Sequence, residues 1–395
     1  MALEPKRVDF ATTWSNLEKT VEGVVTLGKN FPRDVWYNGF SDVFSLFKDK
    51  PESEQESFAK KLYHETEKLL KEHVESLFIQ VNGASEEQLL TVYYTLWQQF
   101  SQGIDCLDNL YSYPNTKFLR KPKITDEELL AYFEESDCEL PDQTREIGEL
   151  GLDLWTRYMI EPLKVHLLRL LLGGIHCDRT GQSPLYNEKP STIKGVIRSL
   201  VSVKEKEYVR KMRLHEEVFE RPFLEATGEY YAREASRLLQ ECTISMYMEK
   251  VLQRRDEEDL RSRKFLQPSS SSKVRNEFEK RMIADHLAAI HNECPKMLEL
   301  KQYEDLGNAY ELLKSIPGSL TVLVSHFKEH IKQQGLRTVA NLSGDNMSAQ
   351  FVEAGMLRFH SEYKEITNTV FSNDQLFSSA LDEAFAAVVN HRPNY

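Results

Sequence analysis

The sequence is poor in glycine and proline, with 17 and 14 residues in a chain of 395. This argues against an α/β fold built on glycine-rich loops, which use glycine where the backbone turns sharply or approaches a ligand. The five cysteines are odd in number, widely separated and never spaced as CxxC. That pattern argues against a disulfide framework or a thiolate zinc site and favours a reducing compartment. The cytoplasm and the nucleus, where we expect the protein, are compartments of this kind.

Long apolar runs and short catalytic motifs are also missing. The longest apolar stretch, residues 167–175, is interrupted by Arg169 and two glycines, so we expect no membrane span. The formal net charge of −12 argues against nucleic-acid binding, because phosphate contacts need clustered cations. The patterns GxGxxG, GxxxxGK[ST], GxSxG and HExxH do not occur. The sequence therefore predicts a protein without a cofactor and without a catalytic site of these kinds.

What the sequence does contain is helical periodicity from one end to the other. Apolar residues recur every three or four positions beside charged faces, which predicts an all-α fold. Proline 122 and the serine run at 269–272 divide the chain into three blocks of about five helices each, residues 1–122, 123–268 and 269–395. Within the blocks we expect a surface loop at 173–191 and helix ends at Pro317–Gly318 and at Gly335.

Residues 227–266 contain no proline and have apolar residues at helical spacing. As one helix they would reach roughly 60 Å, which exceeds a compact domain. The apolar stripe loses phase near Cys242, where Thr243 and Ser245 are both able to cap a new helix. We therefore predict two consecutive helices that meet at residues 242–245.

The predicted helix at residues 33–48 carries two apolar stripes. Trp36, Phe40, Val43 and Phe47 are spaced as an ordinary core face. A neighbouring stripe consists of Tyr37, Ser41, Phe44 and Lys48. The second stripe indicates that the helix is covered from another direction, either by a further helix of the chain or by a partner. Gly39 on the same helix would allow a neighbour to approach closely.

A basic cluster ends the first block. Lys117, Arg120, Lys121 and Lys123 follow a predicted helix at 85–113, where cations interact favourably with the helix C-terminus. An acidic partner is the other reading of this cluster. Because proline lacks an N–H and clashes with the preceding turn, Pro114 predicts a kink or a restart near Leu110.

Two sets of polar residues were weighed as metal sites. Asp256 and Asp259 have the DxxD spacing of magnesium sites, but arginines flank them, which favours an ion-paired surface helix. His64 and His73 stand among glutamate and lysine, and we expect both on the solvated surface.

Several ordered segments resemble the cullin family. They include VWYNGFSDVFSLF, EIGELGLDLW followed by MIEPL, EYYAREAS, YMEKVLQRRDEEDLRSRKFL, RMIADHL and DLGNAYELLKSIPGSL. The N-terminal segment MALEPKRVDFATTW and SDVFSLF favour the cullin-2 type. The resemblance implies an elongated arc of three stacked helical cullin repeats. It also implies an N-terminal portion that lacks the C-terminal cullin-homology domain.

The resemblance further implies a function. Cullins are non-catalytic scaffolds of modular ubiquitin ligases, and the first repeat of the cullin-2 type binds Elongin C, with Elongin B, and a VHL-type or other BC-box substrate receptor. A RING-box protein and NEDD8 bind only the full-length protein. Carried over by position, the adaptor-binding residues are Leu3, Pro5, Tyr37, Phe40, Ser41, Phe44, Phe47, Lys117 and Arg120.

Two other function classes remain open from the residues alone. A helical rod of a membrane-tethering or trafficking complex would share the composition and the long helices. An all-helical metal enzyme would use Asp256 and Asp259, and it would lose function when both are replaced by alanine.

Overall fold

The computed structural model describes residues 9–27, 30–119, 146–182, 189–202, 212–343 and 349–390. Throughout these ranges the regular secondary structure is helical and no strand occurs, which confirms the all-α prediction. None of the helices in these ranges is apolar enough over a sufficient length to cross a membrane. The chain forms two compact units, Met1–Arg221 (unit 1) and Pro222–Tyr395 (unit 2). The division into three repeats and the arc stay predictions.

Unit 1 contains the helices α1 to α7. A π-helical turn at Thr156–Ile160 joins α5 to α6 without a break in the chain direction. The bounds are α1 Phe10–Leu27, α2 Arg33–Phe47, α3 Glu52–Asn82, α4 Glu86–Leu110, α5 Ile147–Trp155, α6 Glu161–Thr180 and α7 Pro190–Ser202.

The helices α1 and α4 pack closely in unit 1. Leu17, Val21 and Val24 form the fully buried stripe of α1, as their helical spacing predicts. Gly103 of α4 faces this stripe, and a Cβ atom at this position would lie 2.6 Å from the Cα of Val25. The absence of a side chain at Gly103 therefore allows the two backbones to approach.

Trp155 of α5 connects α4 and, through Tyr93, α7. Its ring is fully buried and stacks on Phe100 at 4.8 Å between centroids. Its Nε1 donates to the hydroxyl of Tyr93, which lies 3.0 Å from Oγ of Ser199 in α7. Burial raises the pKa of Tyr93 to about 12, so this phenol stays neutral and keeps its proton for the network.

Unit 2 contains the helices α8 to α15. The bounds are α8 Arg221–Glu241, α9 Ile244–Phe265, α10 Pro268–Met282, α11 Leu287–Glu299, α12 Tyr303–Lys314, α13 Leu320–Ser343, α14 Ala349–Thr369 and α15 Gln375–Val389. The first residue of α8 belongs to unit 1 and the rest of the helix to unit 2.

The predicted joint between α8 and α9 is confirmed. The chain leaves the helical conformation at Thr243, whose hydroxyl accepts a hydrogen bond from the backbone N–H of Met246 at 3.4 Å. Ser245 instead donates to the carboxylate of Asp305 in α12 at 2.8 Å. One of the two candidate caps therefore starts the new helix, and the other fixes it to a neighbour.

The core of unit 2 is built on aromatic rings. Phe371 and Phe377 stack at 3.9 Å between centroids, and Phe327 and Tyr310 pack edge-on against them. All four side chains are buried. These rings come from α12, α13, the start of α15 and the turn before it, so one cluster joins several elements.

Three predicted breaks in the helices are wrong. Helix α6 continues through Gly173 and Gly174 to Thr180, so the first part of the predicted loop at 173–191 is helical, and residues 183–188 of it lie outside the described residues. The serine run 269–272 lies in the first turns of α10 and is not a linker. Gly335 lies inside α13, where a Cβ would come within 2.7 Å of Val388, so this glycine serves close packing. The end at Gly318 is confirmed, with a φ of 77°.

Two polar predictions also have an outcome. His64 is exposed as expected, but His73 is half-buried and its ring stacks on Phe100, so the prediction of a solvated surface is wrong for His73. Asp259 pairs with Arg275 of α10, and Asp256 lies 3.9 Å from Arg255 of its own helix.

Candidate functional site

The helix α2 presents one face to the core of unit 1 and another to solvent. It begins after Pro32 and ends at Phe47, where Lys48 adopts an extended conformation. The next residue, Asp49, has a φ of 55°, a conformation that aspartate tolerates better than most residues. This turn sends the chain into α3.

The buried face of α2 consists of Gly39, Val43, Leu46 and Phe47. A Cβ at Gly39 would lie 2.6 Å from Cγ2 of Thr20, so the glycine allows α1 to approach, as the sequence predicts. Phe40 does not belong to this face, and its prediction as a core residue is wrong. The side of α2 that faces α1 is centred on Gly39 and not on Phe40. At the point where α2 nearly touches α1 there is no room for an aromatic ring.

The outer face of α2 carries three exposed aromatic side chains. Tyr37 is 65%, Phe40 41% and Phe44 51% exposed, and Ser41 is exposed between them. The ring of the half-buried Trp36 stacks on Phe40 at 5.8 Å and meets Tyr37 edge-on at 5.4 Å. Trp36 therefore holds two of the exposed rings in place, and the three rings together form the α2 aromatic surface.

Two charged groups border the α2 aromatic surface. The ammonium of Lys48 lies 6.0 Å from the centroid of the Phe44 ring, within reach of a cation–π contact. On the flank, partial burial raises the pKa of Asp42, whose backbone carbonyl accepts a hydrogen bond from Ser45. The rim of the surface is thus polar while its centre is apolar.

The segment that follows α4 forms the second part of the site. The helix ends at Leu110, and a short helical segment restarts at Ser112–Pro114 before a π-helical turn at Asn115–Leu119. This confirms the break predicted from Pro114. Tyr111 at the break is buried and its hydroxyl lies 3.1 Å from Oγ1 of Thr66 in α3. The break is therefore anchored to the core.

Three aromatic rings bring the end of α2 and this segment together. Phe47 stacks on Phe118 at 5.7 Å and contacts Tyr113 at 5.3 Å. Phe47 is only 2% exposed, so it supports the surface from below and is not accessible to a partner. Tyr113 is exposed at the edge of this cluster. The end of α2 and the segment after α4 are therefore in contact, and their joint role as one binding site stays a prediction.

Lys117 lies on this aromatic cluster. Its ammonium is 5.1 Å from the Phe118 ring centroid and 5.9 Å from that of Tyr113. It donates a hydrogen bond to Oε1 of Gln55 at 3.1 Å and lies 3.9 Å from a carboxylate oxygen of Glu52. The side chain remains 37% exposed, so its charge is available to solvent and to a partner.

The sequence-predicted site residues fall into three groups. Tyr37, Phe40, Ser41 and Phe44 are exposed on α2. Lys117 is exposed on the segment after α4, and Phe47 is buried where α2 meets that segment. Leu3, Pro5 and Arg120 lie outside the described residues. Their role in binding an adaptor stays a prediction, as does that of the others.

Sequence reasoning missed Trp36 as a support, and it missed Gln55, Tyr113 and Phe118. The YSYPNTKF segment carries a signal, since Tyr113 and Phe118 are five residues apart and flank Pro114. Gln55 gave no signal, because a single glutamine at the start of a charged helix is typical of any surface.

The residues of this site are suited to binding another protein. Exposed rings above a rigid base suit an apolar patch on another protein, and Lys117 suits a carboxylate there. No group of three histidine, cysteine, aspartate or glutamate side chains that could hold a metal occurs in the described part of the chain. Asp259, one of the two aspartates considered for magnesium, is occupied by Arg275.

The comparisons with known proteins point in one direction. The family model described as the Cullin alpha solenoid domain matches residues 14–394. Cullin-2 of Caenorhabditis elegans is 31% identical over 99% of this chain and 50% of its own length. Cullin-1 of Dictyostelium discoideum is 28% identical over 98% of this chain and 50% of its own length. Cullin-3A of Arabidopsis thaliana is 24% identical over 99% of this chain and 48% of its own length. The chain thus spans about half the length of these relatives.

Proposed function

The chain belongs to the cullin family, most like cullin-2, and from this premise we propose that it is the stalk of a scaffold in a multisubunit cullin-RING ubiquitin ligase. In this role it is not an enzyme. It holds a substrate receptor at one place and spaces it from the part of the ligase that transfers ubiquitin. The helical solenoid family and the match along nearly the whole chain support this proposal.

The α2 aromatic surface, together with Lys117, is the adaptor-binding site in this proposal. The observation that carries it is the exposure of three aromatic rings on one helix that is otherwise well packed. Exposed aromatics of this kind are costly in water unless a partner covers them, and buried aromatics dominate binding energy at interfaces. Lys117 at the edge adds an electrostatic contact that orients the partner.

The adaptor is Elongin C, bound to Elongin B, and the receptor is a VHL-type or other BC-box protein. The similarity to a Cullin-2 supports this choice over the adaptors of other cullin types. A RING-box protein and NEDD8 act on the full-length protein. The ligase works in the cytoplasm and the nucleus.

Size-exclusion chromatography tests the adaptor proposal directly. The 395-residue chain is mixed with Elongin B, Elongin C and a BC-box receptor at micromolar concentration. Co-elution as one complex is the expected result, whereas separate elution would remove the proposed adaptor. Co-elution with a different cullin adaptor in a parallel run would keep the scaffold role and change the partner.

A further inference from the structure

Gln55 is the residue on which the polar half of the candidate site converges. It lies in the first turn of α3 and is buried. Its Oε1 accepts hydrogen bonds from the hydroxyl of Tyr113 and from the ammonium of Lys117, both at 3.1 Å. Its Nε2 donates to the backbone carbonyl of Lys50 at 2.8 Å. One side chain thus connects the turn after α2, the start of α3 and the segment after α4.

The choice of an amide at this position has an electrostatic consequence. An amide oxygen accepts from Lys117 and fixes the direction of its ammonium, but it does not neutralise the charge. Glu52, the carboxylate near Lys117, is at 3.9 Å, beyond an ordinary hydrogen bond, and its side chain is 82% exposed. An ion pair this exposed contributes little in water. Lys117 is therefore held in one place while most of its charge remains available.

The same amide holds Tyr113 against the aromatic cluster. The Tyr113 ring touches Phe47 and Phe118, and the Tyr113 hydroxyl reaches Gln55. Without the acceptor, Lys117 would gain rotamer freedom, which binding would have to remove, whereas the ring contacts with Phe47 and Phe118 would still hold Tyr113.

We propose that Gln55 is a positioning residue, which presents Lys117 as a fixed, unneutralised cation to a carboxylate on the partner that covers the α2 aromatic surface. This inference rests on the proposed function and specifies the chemistry of the partner at one edge of the site. Gln55 itself is buried and touches no partner, so it acts through Lys117.

The first test uses the free chain. Lys117 is labelled with a limiting amount of an amine-acylating reagent and quantified by mass spectrometry relative to Lys60. We expect Gln55→Met to raise Lys117 labelling about two- to fivefold, because the exposed ammonium loses its acceptor. Gln333→Met, the same exchange on an exposed surface of unit 2, is the control and should change nothing. Unchanged labelling in Gln55→Met would overturn the role of Gln55.

The second test measures affinity for the Elongin B/C–receptor complex by isothermal titration calorimetry. Gln55→Met and Lys117→Met should each weaken binding about two- to fivefold, and the double variant no more than either alone. Additive losses would overturn the inference, since Gln55 would then act independently of Lys117. A wild-type chain that does not bind overturns the proposed function, whereas equal binding by wild type and Gln55→Met overturns only the role of Gln55.

A third variant separates positioning from plain packing. Gln55→Glu keeps an acceptor for Lys117 but neutralises it, so affinity should fall and its dependence on ionic strength should flatten. Retention of the wild-type salt dependence would overturn the inference. If Gln55→Met loses its helical circular dichroism signal and so does not fold, Gln55→Glu still tests whether Gln55 positions Lys117.

Discussion

In unit 1 three aromatic rings of α2, those of Tyr37, Phe40 and Phe44, face solvent. In unit 2 the rings of Phe327, Phe371 and Phe377 are completely buried. Among residues whose burial the structure describes, every aromatic side chain more than about a third exposed lies in unit 1, on α2 or at Tyr113. Both units are made of amphipathic helices of similar composition, so propensity does not explain the difference. The described aromatic side chains of unit 2 are buried or half-buried, whereas unit 1 leaves four exposed, three on α2 and Tyr113.

The difference teaches where function is to be sought in an all-helical chain. Among the residues of unit 2 whose burial is described, the exposed large hydrophobic side chains are those of leucine, valine and methionine, such as Leu260 and Leu300, and they occur singly along the chain. Scattered aliphatic residues of this kind need no explanation, but adjacent exposed aromatics on one helix do. The comparison yields four predictions, which follow in order of expected effect.

The largest effect is expected in the core of unit 2. Phe371→Ala removes a fully buried ring that stacks on Phe377 and meets Phe327. The cavity should lower the free energy of unfolding by about 3–5 kcal/mol, measured by urea denaturation. Phe44→Ala on the α2 aromatic surface is the matched control and should cost less than about 1 kcal/mol. Equal losses would mean that Phe44 is also a core residue and would break the comparison.

The second effect concerns binding. Phe44→Asp should weaken binding of the Elongin B/C–receptor complex by about 2–4 kcal/mol, because an aromatic at the centre of an interface is replaced by a charge. Stability of the free chain should hardly change, since Phe44 is exposed. Calorimetric titration measures the affinity. Leu260→Asp, at an equally exposed position of unit 2, is the control, and a similar loss there would contradict the assignment of the site.

The sequence pattern predicts the buried aromatic core of unit 2 and the exposed aromatic surface of α2 only in part. The helices and the α8–α9 joint follow from periodicity and from Thr243 as a cap, which are local properties. The spacing of residues predicts the second stripe of α2 but wrongly places Phe40 in the core. Spacing alone does not say which of two adjacent stripes faces α1. That choice is made by the close approach of Thr20 to Gly39, a contact between distant parts of the chain.

The misplaced helix breaks have the same origin. Gly335 and the serine run 269–272 are typical of helix ends, yet both lie within helices. At Gly335 the packing of Val388 against the bare backbone outweighs the unfavourable helix propensity of glycine. The contacts of Gln55 were equally invisible, since they join residues up to 62 positions apart.

The third prediction compares glycine contacts in the two units. In unit 1 a Cβ at Gly103 would meet backbone atoms of Val24 and Val25 at 2.8 and 2.6 Å. Gly103→Ala should therefore force α1 and α4 apart and destabilise the chain by about 1–3 kcal/mol. In unit 2 the nearest atom to a Cβ at Gly335 is a methyl group of Val388, which rotates more easily. Gly335→Ala should cost less, as measured by thermal unfolding, and a larger loss there would reverse the comparison.

The smallest effect is a pH dependence in unit 1. Burial lowers the pKa of His73 from its ordinary value of 6.5, although Glu22 opposes the shift. Between the lowered pKa and 6.5, the unfolded chain binds more protons at this position than the folded chain does, so stability falls as pH drops through that window. The stability contributed by neutral His73 is fully present above about pH 7, and the loss of stability levels off below the lowered pKa. His73→Gln should flatten this part of the curve of unfolding free energy against pH, whereas the exposed His64→Gln should leave it unchanged. If the slope persists in His73→Gln, other groups cause the pH dependence. Burial also lowers the pKa values of the half-buried His291 and His330 of unit 2. These two histidines would be replaced next.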